Sequence, residues 1–240
     1  MHSDVAIIIS SRIGSTRLPQ KALARIGEKS LVEHIVCQLA LVELDNLYVA
    51  TDSEEIAKLA ESSGAIAIMT DENCPSGSDR IFQALQKIPE HDKINYIINV
   101  QGDMPFIDVS VIDKIIDDLK NGSGEIVTPV VKVGRDIADS TSNVKVVACN
   151  QGRAMYFSRN LIPHGATEFL YHVGIYGFQR DALEKFVNLP QGKYEQMEKL
   201  EQLRALEYGM KISICFANDV PISVDTPEDL SKARKYYENI

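Results

Sequence analysis

Arg12, Arg17 and Lys21 place three cations within ten residues, interleaved with Gly14, Ser15, Thr16 and Pro19. That mixture suits an anionic ligand. Hydroxyls and amides donate, the cations neutralise phosphate, and Gly14 lets backbone approach closely. Two aspartates extend the set: Asp103 follows an apolar run and a glycine, and Asp225 stands just ahead of Thr226-Pro-Glu-Asp229. If both reach one place, they can hold Mg²⁺, a hard cation that takes one or two carboxylates and fills its shell with waters and substrate phosphates. Cradle and metal together would make a site for a nucleoside triphosphate. At ~4 Å and an effective dielectric near 20, a charge pair is worth on the order of 4 kcal/mol, so a triphosphate needs several partners. Taken singly, the loop reads equally well as a basic surface loop. Asp225 alone reads equally as an acid favouring a helix N-terminus, worth roughly 0.3–1 kcal/mol.

Two familiar phosphate motifs are absent. Gly14 has no glycine neighbours to complete a dinucleotide fingerprint, and in Gly27-Glu-Lys-Ser30 a glutamate separates glycine from lysine. No Ser/His/Asp or Cys/His arrangement suggests a side-chain nucleophile.

The elements that must carry these residues follow from periodicity. Val5–Ile9 is β-branched and uncharged, as a strand of a buried parallel sheet is. Leu31, Val32, Ile35, Val36 and Leu39 repeat at helical spacing behind an N-cap at Ser30. Strands at Leu47–Ala50, Ala65–Met69 and Tyr96–Val100 alternate with helices around Ile56–Ala60 and Ile81–Ile88. That order predicts a parallel sheet with right-handed crossovers, whose ligands sit beyond the carboxyl ends of the strands. The cradle and Asp103 both follow such strands. Further on, the pattern predicts a helix over Val109–Leu119, strands at Glu125–Val133 and Asn143–Ala148, and a turn at Asn150–Gly152. Residues 130–180 form a β-rich lobe. One helix is expected over Tyr194–Tyr208, with Met197, Leu200, Leu203 and Leu206 in a row, then a strand at Ile212–Phe216. Thr226, Pro227 and Asp229 are the start signals of a last helix.

Composition bounds the rest. The chain has 240 residues, 45% hydrophobic and 25% charged, which suits one domain spanning 1–240. A formal net charge of −9 argues against bulk nucleic-acid or anionic-membrane binding. Yet the first thirty residues hold five Lys/Arg against two acids. Four scattered cysteines without a CxxC pair read as free thiols of a reducing, cytoplasmic compartment. No apolar run is long enough to span a membrane, and Met1-His-Ser-Asp4 lacks the basic start of a signal peptide.

Several segments resemble one family in order along nearly the whole chain: Ser11–Leu23, Asn99-Val-Gln-Gly-Asp103, Tyr156-Phe-Ser-Arg159, His172-Val-Gly-Ile-Tyr-Gly177, Leu200-Glu-Gln-Leu-Arg204 and Val224–Leu230. They resemble the CMP-Kdo synthetase (3-deoxy-manno-octulosonate cytidylyltransferase) family. Tyr-Phe-Ser-Arg and the His-x-Gly-Ile-Tyr segment are the discriminating pieces. The resemblance implies a three-layer, Rossmann-like nucleotidyltransferase α/β fold and a homodimer formed through the β-rich lobe. It implies the Mg²⁺-dependent reaction CTP + Kdo → CMP-Kdo + diphosphate, serving lipopolysaccharide synthesis in the cytoplasm. Carried onto this chain, it assigns Arg12, Ser15 and Lys21 to the triphosphate, and Arg80 and Gln101 to the cytidine or reaction centre. Asp103 and Asp225 would bind metal; Arg159, His172, Tyr176, Glu201 and Gln202 would bind the sugar.

The residues support these roles unevenly. A guanidinium at Arg159 suits a carboxylate, and His172 and Tyr176 would share a face on one strand. By itself, His172 reads more simply as a buried structural histidine, and Arg80 equally as a first-turn arginine paired with an acid. Glu201 and Gln202 flank the Leu200/Leu203 row, where one of them could be solvated. The chain departs from the family at Gln20, usually glycine, at Met104, usually an acid, and at Cys74, usually histidine. The Ile162–Thr167 loop is also short, which leaves a related acid, such as an 8-amino-Kdo or a sialic-acid-like sugar, as the alternative substrate. A catalytically silent nucleotide-binding scaffold is the non-enzyme alternative.

Overall fold

The computed structural model describes residues 3–42, 44 and 46–239. The described chain divides into two compact units: one runs to Val109 and resumes at Pro221, the other spans Ser110–Val220.

In the first unit, β1 (Val5–Ser10), α1 (Leu31–Leu39), β2 (Leu47–Thr51), α2 (Glu54–Ser62), β3 (Ile66–Met69), α3 (Gly77–Leu85) and β4 (Tyr96–Gln101) alternate as expected. The strands lie side by side in the order β3-β2-β1-β4, every pair parallel. Ile7 sits between Leu47 and Ile98, and Ser10 between Ala50 and Gln101. Val5 through Ile9 are fully buried, which accounts for an unbroken apolar run rather than an alternating one. The order reverses direction between β1 and β4, so a crevice opens beyond their carboxyl ends. Ser30 caps α1 in a reciprocal box with Glu33, and Ser76 caps α3. Helix α3 ends at Leu85, so Ile88, placed at helical spacing by the sequence, lies just past it.

In the second unit, α4 (Ser110–Lys120) precedes β5 (Ile126–Val133), β6 (Lys145–Ala148), β7 (Ala154–Ser158), β8 (Phe169–His172) and β9 (Ile175–Gln179). Strand β5 pairs antiparallel with both β8 and β9, β8 with β6, and β6 with β7. After α5 (Arg180–Val187), which no pattern in the sequence announced, come α6 (Lys193–Glu198), α7 (Gln202–Glu207) and β10 (Ile212–Phe216), parallel to β5. Helix α8 (Pro227–Tyr237) returns to the first unit, with Thr226, Pro227 and Asp229 in the expected cap.

Two expectations fail here. The helix expected over Tyr194–Tyr208 is two helices, broken where Lys199 turns left-handed at φ 55°. Its row is buried only in part: Leu200 and Leu203 are in the core, whereas Met197 is 69% exposed. The break instead serves a buried ion pair: Arg204 Nε and Nη2 reach the Glu195 carboxylate at 2.9 and 2.6 Å. His172 and Tyr176 also do not share a strand. Val173 and Gly174 separate β8 from β9, and the rings meet at 5.4 Å between centroids because both strands pair with β5.

Candidate functional site

A cavity of about 400 Å³ lies in the first unit, at the carboxyl ends of β1 and β4. Arg12, Ser15, Lys21, Arg80, Gln101, Asp103 and Asp225 all line it. These seven residues were singled out from distant parts of the sequence, and the fold brings them to one place.

The loop after β1 is held open by a chain of buried contacts. Asp52, at the end of β2, accepts the Ile13 N–H at 2.9 Å through one oxygen and Arg80 Nη2 at 3.3 Å through the other. Arg80 Nη1 donates to Thr70 Oγ1 at 2.6 Å, and the side chain is 2% exposed. Arg80 therefore has an acid partner, but from another loop rather than its own helix turn. Gln20 stands in the left-handed region at φ 53°. A glycine would sit there with less strain, because a side chain in that conformation meets the following carbonyl. Gly102 is required for a different reason: a Cβ on it would lie 2.8 Å from the Ser10 carbonyl oxygen. Its absence lets the β4 end pack against β1 and present Asp103.

The charges are unevenly matched. Asp225 is gripped by Lys21 Nζ at 2.9 Å and Arg17 Nη2 at 3.0 Å. Arg12 is exposed and has no ion-pair partner among the described residues. Asp103 Oδ2 accepts from Ser223 Oγ at 2.8 Å, while its Oδ1 is sealed from solvent with no hydrogen-bond partner among the described residues. Burial pushes the Asp103 carboxyl above the usual carboxylate range and Asp225 adds to this, against the opposing pull of Lys21 and Ser223. The Val224 N–H donates to the Asp103 carbonyl at 2.8 Å, tying the segment before Asp225 to the end of β4. The N-terminus of α3, at Pro75, Ser76 and Gly77, also lines the cavity and adds a positive dipole end.

Metal can be judged on the donor set. No group of three or more His, Cys, Asp or Glu able to hold an ion occurs among the described residues. Two cavity carboxylates, one with an oxygen left over, fit a cation that completes its shell from phosphate and water.

The five expected sugar residues lie in the second unit. Lys145 is fully buried, and its ammonium donates to the carbonyls of Ser140, Asn143 and Arg159 at 3.0, 2.6 and 2.6 Å. Above that clasp, Arg159 donates to the carbonyls of Glu198, Thr141 and Lys199 at 2.9, 3.2 and 3.4 Å. One N–H on each terminal nitrogen remains, the pair that a carboxylate needs. His172 is buried against Phe157 and Tyr176. The Thr128 hydroxyl donates to the Ile175 carbonyl at 2.8 Å, so His172 Nε2–H is the donor to Thr128 at 2.9 Å. Burial lowers the His172 pKa to about 3 and raises that of Tyr176 well above its usual value, with Glu201 adding to the latter. Gln202 is buried, and its Nε2 has no partner among the described residues.

Sequence reasoning passed over Asp52, Ser11 and Ser223. Asp52 carried the same signal as Asp103, an acid directly after an apolar strand, and Ser76-Gly-Ser-Asp79 was a legible N-cap. Ser11 and Ser223 carried none.

Comparison with known proteins gives a consistent result. A family model described as cytidylyltransferase matches residues 6–212. The 3-deoxy-manno-octulosonate cytidylyltransferase of Rickettsia bellii is 56% identical over 237 residues, covering 99% of this chain and 97% of the relative. That of Rickettsia canadensis is 55% identical, covering 100% and 98%. A solved CMP:2-keto-3-deoxy-manno-octonic acid synthetase complexed with CTP superposes with TM-score 0.91 at 32% identity, covering 99% of both chains. The α/β fold with its parallel sheet is thus that of a Rossmann-like nucleotidyltransferase, and this chain belongs to the cytidylyltransferase family, among the CMP-Kdo synthetases.

Proposed function

We propose that this protein is a 3-deoxy-manno-octulosonate cytidylyltransferase, transferring CMP from CTP to the anomeric hydroxyl of Kdo with release of diphosphate. The observation that carries the reading is the cavity itself, where an exposed unpaired arginine, a lysine and two aspartates converge at the carboxyl ends of β1 and β4. Whole-length identity above 50% to enzymes named for that reaction supports the sugar acid as well as the nucleotide.

In this reading Arg12, Ser15 and Lys21 bind the triphosphate, and the cations stabilise the departing diphosphate. Gln101 and Arg80 bound the cytidine side, with Arg80 acting as a fixed wall through Asp52 and Thr70. Asp103 and Asp225 would hold Mg²⁺, which when bound supplies charge stabilisation at the α-phosphate and acidifies the attacking hydroxyl. Lys21 and Arg17, both paired with Asp225, would also offer charge to the phosphates. Arg159 takes the sugar carboxylate through its two remaining N–H groups. His172 stays neutral, with Nδ1 left as an acceptor for a sugar hydroxyl, and Tyr176, Glu201 and Gln202 complete the sugar contacts.

Residues 1–240 are read as one nucleotidyltransferase domain, working in the cytoplasm as a homodimer formed through the β-rich lobe at about 130–180. Among the described residues no helix is long and apolar enough to cross a membrane. The deciding assay incubates the protein with each nucleoside triphosphate, Mg²⁺ and a panel of sugar acids, and measures diphosphate. Turnover confined to CTP with Kdo is expected. Preference for an 8-amino or sialic-type acid would move the assignment within the family, and no release with any pair would leave a silent scaffold.

A further inference from the structure

Asp52 does not line the cavity, yet it holds two segments that do. It follows β2 directly and precedes Ser53, the N-cap of α2. The backbone at the end of β2 is fixed from both sides. The Ser11 N–H donates to the Ala50 carbonyl at 3.0 Å, and the Thr70 N–H to the Thr51 carbonyl at 2.7 Å. From that frame a side chain only 5% exposed reaches two partners. One oxygen takes the N–H of Ile13, which stands between the cavity residues Arg12 and Gly14. The other takes Nη2 of Arg80, a cavity residue of α3. A single buried carboxylate therefore sets the loop after β1 against α3. Either partner alone would be a routine contact, since a backbone N–H needs only an acceptor and a buried guanidinium needs a counter-charge.

We propose that Asp52 is a positioning residue for nucleotide transfer. It touches no substrate; it fixes the backbone at Ile13 and the Arg80 guanidinium at one separation, so that the cavity has its shape before the nucleotide arrives. Holding groups in place beforehand lowers the cost of binding, and a small displacement of them is costly to the reaction. The inference rests on reading the cavity as the CTP site and deepens that reading.

The test compares wild type with Asp52→Glu and Asp52→Asn in thermal midpoint, calorimetric CTP binding and steady-state kinetics, the last two well below each midpoint. Asp52→Glu keeps the charge beside Arg80 but moves the oxygens by one methylene. Asp52→Asn keeps the size and one acceptor but leaves a buried guanidinium without its counter-charge, so its midpoint should fall further. Both are expected to weaken CTP binding by about tenfold and to lower kcat/KM for CTP by about 10²-fold. KM for the sugar acid should stay within about twofold of wild type. Wild-type CTP affinity in either folded variant, whatever its midpoint, would make Asp52 a structural residue and overturn the proposal. So would KM for both substrates rising together, or the failure of both variants to fold; if only one fails to fold, the other decides. Wild-type protein that binds no CTP would overturn the cavity reading instead, a result distinct from variants that bind as wild type does.

Discussion

The two units handle several of their buried polar side chains differently, although Gln202 Nε2 in the second also lacks a partner among the described residues. In the first, Asp103 Oδ1 and Ser11 Oγ are buried without partners and Arg12 has no counter-charge among the described residues. In the second, Lys145 gives three hydrogen bonds to carbonyls, Arg159 gives three, and His172 is paired with Thr128. The first site leaves some of its charge unmatched, which on the proposed reading suits a ligand that brings charge and metal with it. Much of the second is fixed by its own backbone, which on the proposed reading suits a sugar ring with a single carboxylate. Preorganisation can mean either leaving groups unsatisfied or fixing them in place, and the ligand's charge decides which.

The largest expected effect breaks the first half of that contrast. Asp103→Asn should lower diphosphate release by about 10²–10³-fold, some 3–4 kcal/mol, while leaving the thermal midpoint unchanged or higher. The asparagine keeps an acceptor for Ser223 and removes a buried charge lacking one partner. Near-normal turnover would end its metal role.

Arg159→Lys tests the locked site. A lysine cannot reproduce three carbonyl bonds and still offer a fork, so KM for the sugar acid should rise tenfold or more with KM for CTP unchanged. If both constants moved together in steady-state kinetics, Arg159 would be acting on the fold rather than on the sugar.

His172 sharpens the comparison through pH. Its native pKa of about 3 lies below the unfolded value near 6.5, so the native state binds fewer protons between them. Its contribution is fully present above about pH 6.5 and lost as pH falls towards 3, by up to about 1.4 kcal/mol per pH unit. Urea midpoints measured from pH 7 to pH 4 should fall, and His172→Gln should flatten the part due to this residue. An unchanged slope would show that His172 is solvated.

The smallest effect is local. Gln20→Gly relieves a left-handed side chain but frees the unfolded chain, so a gain of only about 0.5 kcal/mol is expected in denaturant titration. A loss would mean that the Gln20 side chain, rather than its backbone, holds the cradle.

How much was legible depended on whether a feature was local. The β1 run, the Ser30 and Thr226 caps and the acid after β4 were readable because burial, capping and strand ends leave marks within a few residues. Helix α5 left little mark. The Tyr194–Tyr208 helix was misread because its break answers the Glu195–Arg204 pair, formed only once the chain folds back on itself. The closeness of His172 and Tyr176 was foreseen for the wrong reason, since it comes from two strands sharing β5.

By itself, then, the sequence determined which residue types could handle a nucleotide and which short elements would carry them, because those choices are written in side-chain chemistry and period. Tertiary structure alone decided that Asp225 meets Lys21 across 204 positions, and which hydroxyl and carboxylate oxygens are left without partners. Such pairings depend on strand order and packing, and no local pattern encodes the distance between two ends of a folded chain.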